Sequence, residues 1–179
     1  MTLNTNGIAS DVTGKRILIT GGASGIGAAS ALLLASRGAK VVIGDLAEAL
    51  GEAVAQQGQA AGNSIVFKKV DVSSGDEVRA LFAFAMETLG GLDVVINNAG
   101  IDHKPAPMHE LSDEDFDRNI AVNLKGVWHC MRAAVACMAP NGGGHVINVA
   151  SIAGLRSAPL LSAYSAAKHG VMGLTKSAA

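Results

Sequence analysis

Five short runs rich in β-branched residues punctuate the chain: RILIT at 16–20, KVVIG at 40–44, SIVFKKV at 64–70, DVVIN at 93–97 and HVINVA at 145–150. Longer stretches of helical period separate them, as in Ala28, Leu32, Leu33 and Ser36, or in Val78, Leu81, Phe82, Ala85 and Met86. Such alternation leaves few solutions. Parallel strands need long crossovers, the crossovers are right-handed, and helices then cover both faces of one sheet. An α/β, doubly wound parallel sheet is therefore expected. Continuously apolar strands such as VVIG agree with it, because both of their faces are covered. The longest helix is expected from about 112, where SDED reads as a capping start, to about 138, where PNGGG stops it.

Composition narrows the classes. With 179 residues, 49% hydrophobic and 16% charged, the chain reads as one globular domain over 1–179. A net charge of -1 with no Lys/Arg cluster argues against nucleic acid as a partner. The opening MTLNTNGIASDVTG lacks a basic start followed by an apolar stretch, and the apolar run around 28–35 is too short to span a bilayer. A cytoplasmic chain with no membrane partner is expected. Cys130 and Cys137 share one predicted helix, where seven residues separate them by roughly 10 Å, too far for a disulfide. They read as core thiols. Asp102, His103, His109 and Glu110 fall in a proline-interrupted stretch matching no zinc template, so no metal is expected there, only a polar surface loop beside a binding cleft.

The stretch LITGGASGIGAAS follows the first strand and opens the first helix. A phosphate bound there meets free amide donors and the positive end of the helix dipole, and glycine lets the backbone approach closely. Gly21, Gly25 and Gly27 are read as the turn, the approach and the tight helix packing, with Ser24 and Ile26 between them. Asp45 follows Gly27 by 18 residues, at the end of the second strand, where a carboxylate can accept hydrogen bonds from an adenosine ribose. Dinucleotide binding is expected. A 2′-phosphate would meet repulsion from Asp45, and neither Ser24, Leu46 nor Ala47 offers a basic group, so NAD is expected over NADP.

Tyr164, the sole tyrosine, stands four positions before Lys168 and therefore on the same helical face. An ammonium about 4 Å from a phenol, at an effective dielectric near 20, biases it toward phenolate by at most roughly 4 kcal/mol. Together TGGASGIG at 20–27, NNAG at 97–100, NLKG at 123–126, Ser151 and the Tyr164/Lys168 pair resemble the short-chain dehydrogenase/reductase family, in its single-domain alcohol/ketone oxidoreductase branch. The resemblance covers residues 14–179 and implies a Rossmann-like sheet of order 3-2-1-4-5, lacking the family's C-terminal strands.

The resemblance also implies roles. Tyr164 would be the general acid/base, Lys168 would assist it and hold the nicotinamide ribose, Ser151 would hydrogen-bond the substrate oxygen, and Asn123 would bind a water in a proton relay. Asn98, Ala99 and Gly100 would stabilise the sheet and line the adenosine side with Leu46, while Asp71 and Val72 would flank the adenine. The implied activity is hydride transfer between NAD(H) and a secondary alcohol or ketone, in a homo-oligomer (dimer or tetramer) built on the long helix. Individual residues have blander uses: Ser151 as a helix cap, Asn123 facing solvent, Asn97 and Asn98 as turn formers. The last helix stops at GLTKSAA without a C-cap, which reads as a truncated chain. The alternative is a non-catalytic nucleotide-binding or interaction fragment without the substrate lid.

Overall fold

The computed structural model describes residues 12–179; the first eleven, on which much of the expectation about a leader rests, lie outside the described residues. The apolar runs form strands β1 (Arg16–Thr20), β2 (Lys40–Asp45), β3 (Ser64–Lys69), β4 (Val94–Asn97) and β5 (His145–Asn148). All pair in parallel, in the order 3-2-1-4-5. Helices flank the sheet: α1 (Gly25–Ser36), α2 (Glu48–Ala60), α3 (Gly75–Leu89), α4 (Asp113–Ile120), α5 (Val127–Met138) and α6 (Ser162–Ser177). The fold is the doubly wound parallel sheet that the alternation predicts, in the Rossmann-like strand order that the resemblance implies. In register, Thr20 is level with Gly44 on one side and Asn97 on the other, so the carboxyl ends of the strands form a common rim.

Side chains alternate across each strand. Leu18, Val42 and Val95 join α3 and α5 in one core cluster, while Ile17, Ile19, Val41 and Ile43 join α1 and α2 in another. At α3 the expected face is the buried one, with Val78, Leu81, Phe82 and Ala85 inside. Helix α1 differs from its sequence reading: Gly27, Ala31 and Ala35 are its buried residues, whereas Leu33 and Ser36 are exposed. At Gly27 the helix lies too close to the glycine loop for any side chain, while Ala28, Leu32 and Leu34 pack partly buried on the core. A Cβ on Gly27 would stand 2.0 Å from the Gly21 carbonyl oxygen.

The long helix begins as expected, with the Ser112 hydroxyl accepting from the Asp115 N–H at 3.1 Å. It is not regular throughout. Residues Ala121–Gly126 form a π-helical segment between α4 and α5, and Asn123 sits inside it. Such widened turns recur at functional sites. Cys130 and Cys137 are both free on α5, and burial pushes the Cys130 thiol up to about 12, which leaves it inert as a nucleophile. At the start of the sheet, Arg16 Nη2 donates to Asp93 Oδ1 at 2.7 Å, and this pairing holds the Asp93 carboxyl at about 2. No helix among the described residues is long and apolar enough to cross a membrane.

Candidate active site

The loop between β1 and α1 turns on glycine. Gly21 adopts φ +67°, and a Cβ there would stand 2.8 Å from the Ala99 nitrogen. Gly25 adopts φ +52° with open space where its Cβ would be. Ser24, at the N-cap of α1, makes no side-chain bond to the first turn, so that turn's amide donors are left for a ligand. By contrast, α3 and α4 are capped by Ser74 and Ser112 and carry acids in their first turns. These features suit an anionic phosphate group.

Across the rim runs a cleft of about 790 Å³, lined by Gly21, Ser24, Gly25, Ile26, Asp45, Leu46, Asp71, Val72, Asn98, Ala99 and Gly100. Eleven residues singled out in the sequence for a dinucleotide thus share one wall system. Gly27 does not line it and acts through packing. Asp45 is fixed by two backbone donors, the Ala23 N–H to Oδ2 at 3.0 Å and the Ala47 N–H to Oδ1 at 2.9 Å, which leaves further lone pairs for a ligand hydroxyl. Asp71 Oδ1 accepts from both the Ser73 N–H and the Ser73 hydroxyl. The Asn98 amide donates to the Thr20 and Gly21 carbonyls at 3.1 and 2.9 Å, stitching the glycine loop to the end of β4.

Beyond Gly100 stand the groups expected to move protons. A Cβ on Gly100 would be 2.9 Å from Asn123 Oδ1 and 3.7 Å from Lys168 Nζ, so both reach the cleft's end wall. Lys168 is 4% exposed, and its ammonium donates to the Val149 carbonyl at 2.8 Å, two residues before Ser151. Burial pushes its pKa down, and the Asp102 charge opposes that. The same ammonium lies 5.6 Å from the centroid of the Tyr164 ring. Ser151 caps a single 3-10 turn, Ile152–Gly154, its hydroxyl oxygen accepting from the Ala153 N–H at 3.1 Å. That turn presses on α6, since a Cβ on Gly154 would stand 2.8 Å from the Lys168 carbonyl. Capping engages an acceptor lone pair and leaves the Ser151 hydroxyl proton free to donate.

Asn123 is fully buried rather than solvent-facing. Its carbonyl oxygen accepts from the Ile101 N–H at 2.8 Å, and its amide donates to the Ile101 carbonyl and to Asn119 Oδ1, both at 2.7 Å. Asn119, one turn earlier and 1% exposed, was not singled out by sequence; its signal was the i, i+4 spacing to Asn123. Thr20 was missed too, although its hydroxyl accepts from the N–H groups of Asn98 and Ala99, both at 3.2 Å. Arg118 also lines the cleft, whereas the sequence reading sought a basic group only at Ser24, Leu46 and Ala47. His103 departs from the expected surface loop: it is 7% exposed, with Nδ1 against the Lys104 carbonyl. Among the described residues no group of three or more His, Cys, Asp or Glu side chains gathers as a metal site.

The family model for short chain dehydrogenase matches residues 15–179. The chain is 45% identical over 165 residues to a 3beta-hydroxysteroid dehydrogenase of Mediterraneibacter gnavus, covering 92% of this chain and 59% of that protein. It is 46% identical to a cis-4-hydroxycyclohexanecarboxylate dehydrogenase of Sinomonas cyclohexanicum, with coverages of 90% and 65%. Among solved structures, an NAD+-bound xylitol dehydrogenase superposes with a TM-score of 0.91 at 30% identity, covering 94% of this chain and 65% of that one. The chain therefore spans roughly three-fifths to two-thirds of the length of these proteins. With its fold, its rim cleft and a family match running from Lys15 to Ala179, this chain belongs to the short chain dehydrogenase family.

Proposed function

We propose that the protein is an NAD(H)-dependent oxidoreductase interconverting a cyclic secondary alcohol and its ketone. The observation that carries this reading is the Lys168 ammonium at the Gly100 end of the cleft, 5.6 Å from the Tyr164 ring. Tyr164 takes the alcohol proton as the carbon–oxygen bond becomes a carbonyl, and returns it in reduction. Lys168 balances the charge that develops on the phenol oxygen, and Ser151 donates its free hydroxyl proton to the substrate oxygen. Asn123 holds a relay water through its main-chain carbonyl, because its side chain is fully engaged in bracing the wall at Ile101 and Asn119. Gly21, Ser24, Gly25 and Ile26 hold the pyrophosphate, Asp45 and Leu46 the adenosine ribose, and Asp71, Val72, Asn98, Ala99 and Gly100 the rest of the dinucleotide. The bound nicotinamide supplies the hydride acceptor.

Two facts favour a ring-bearing, apolar substrate. The relatives include a hydroxysteroid, a hydroxycyclohexanecarboxylate and a cyclohexanol dehydrogenase. Ile152, Leu155 and Leu160, in the segment after Ser151, are 76%, 70% and 50% exposed. Exposed Phe116, Trp128 and Val135 on the long helix support self-association as a dimer or tetramer.

The test is turnover by the full-length protein of cyclohexanols and acyclic secondary alcohols with NAD+ and with NADP+. Faster NAD+ reduction with the cyclic alcohols is expected. A preference for NADP+ contradicts the Asp45 argument, and nucleotide binding without turnover of any alcohol or ketone favours a non-catalytic binding module.

A further inference from the structure

One cation in the cleft belongs to none of the roles above. Arg118 lies in the last turn of α4, and Ala121 and Val122, three and four positions on, share its helical face. All three line the cleft, as do Asp71, Val72 and Ser73 after β3. The two walls are packed together: a Cβ on Gly126 would stand 2.9 Å from Val72 Cγ2, and Val122 packs on the cluster that contains Val72. No carboxylate among the described residues is within ion-pair reach of Arg118. Yet Asp45 and Asp71 share its cleft, and Asp113, Glu114, Asp115 and Asp117 share its helix.

We propose that Arg118 is an adenine-stacking residue, its guanidinium lying over the purine that Val72, Asp71 and Val122 border. This deepens the dinucleotide reading and rests on it. A planar, weakly hydrated guanidinium on an apolar wall suits the face of an aromatic base. The two carboxylates in the same cleft argue against its use for a dianionic 2′-phosphate, which they repel. Asp71 keeps one oxygen clear of the Ser73 bonds, so an exocyclic amine on the base has an acceptor.

Calorimetric titration of the full-length protein with AMP and with adenosine 2′,5′-bisphosphate tests the assignment, on wild type, Arg118→Ala, Arg118→Lys and Arg118→Tyr. Loss of a cation–aromatic contact weakens AMP binding in Arg118→Ala by about 2-fold to about 30-fold. Arg118→Tyr restores most of that affinity, and the 2′,5′-bisphosphate suffers no larger loss than AMP. Unchanged AMP affinity in Arg118→Ala overturns the proposal. So does rescue by lysine but not tyrosine, or a loss confined to the bisphosphate, since either makes Arg118 a charge contact. If wild type itself binds neither ligand, the dinucleotide reading fails, and that outcome is distinct because it needs no variant.

Discussion

At the scale of single residues, the role proposed for Lys168 sets function against stability. Its pKa is pushed down by burial, so the folded state holds this proton less tightly than the unfolded chain. Stability therefore rises with pH between the folded value and the ordinary lysine value, and near neutral pH the buried charge is a cost. Lys168→Met is predicted to abolish alcohol oxidation while leaving the melting temperature unchanged or higher. A fall of more than about 3 °C, equivalent to about 1 kcal/mol for a chain of this size, would make the ammonium a structural group instead. Asn123 is the converse case, because both of its polar ends are consumed by protein partners.

At the scale of elements, the packing of α5 on α3 contains a second titratable group. His129 is 8% exposed, and a Cβ on Gly75, the first residue of α3, would stand 2.9 Å from its Cε1. Burial first, then Lys125, Arg132 and Arg79, pushes its pKa below the ordinary value, while Asp76 and Glu77 open the facing helix. The unfolded chain then binds the proton more readily, so stability falls as pH drops below about 6.5. Thermal melts at pH 7.5 and 5.5 are predicted to show a larger loss for wild type than for His129→Gln; equal losses would refute this.

The elements also mark what could be read from sequence. The order of the strands came only with the family resemblance, whereas their positions and parallel pairing were legible because hydrophobic runs and crossover rules depend on local pattern. The buried face of α1 was not, because close approach to the sheet selects Gly27, Ala31 and Ala35, and small residues carry little hydrophobic signal. Nor was the π segment, since Ala121–Gly126 reads as ordinary helix until Asn123 must reach Ile101. The cleft residues were legible by motif and Asn119 by its i, i+4 spacing to Asn123, whereas Arg118 joins the cleft only through helix placement that no local spacing encodes.

For the whole molecule, one ion pair ties the entry of β1 to the segment before β4. Asp93 accepts from the Arg16 backbone N–H, Nε and Nη2 at 2.7 to 3.0 Å. Its lowered pKa means that the pair's contribution is present above about pH 4 and is lost as pH falls toward 2. Discounted for partial exposure, Asp93→Asn is expected to lower stability by about 1 kcal/mol in chemical denaturation at pH 7, with the difference from wild type vanishing near pH 2. The same sheet aligns the rim that carries the cleft at one end and Tyr164 with Lys168 at the other. The most direct test of that arrangement is the rate of NADH formation, followed at 340 nm, from saturating NAD+ and cyclohexanol, for wild type against Tyr164→Phe. The account predicts a loss of about 100-fold or more with NAD+ affinity retained. A Tyr164→Phe protein as fast as wild type would contradict it.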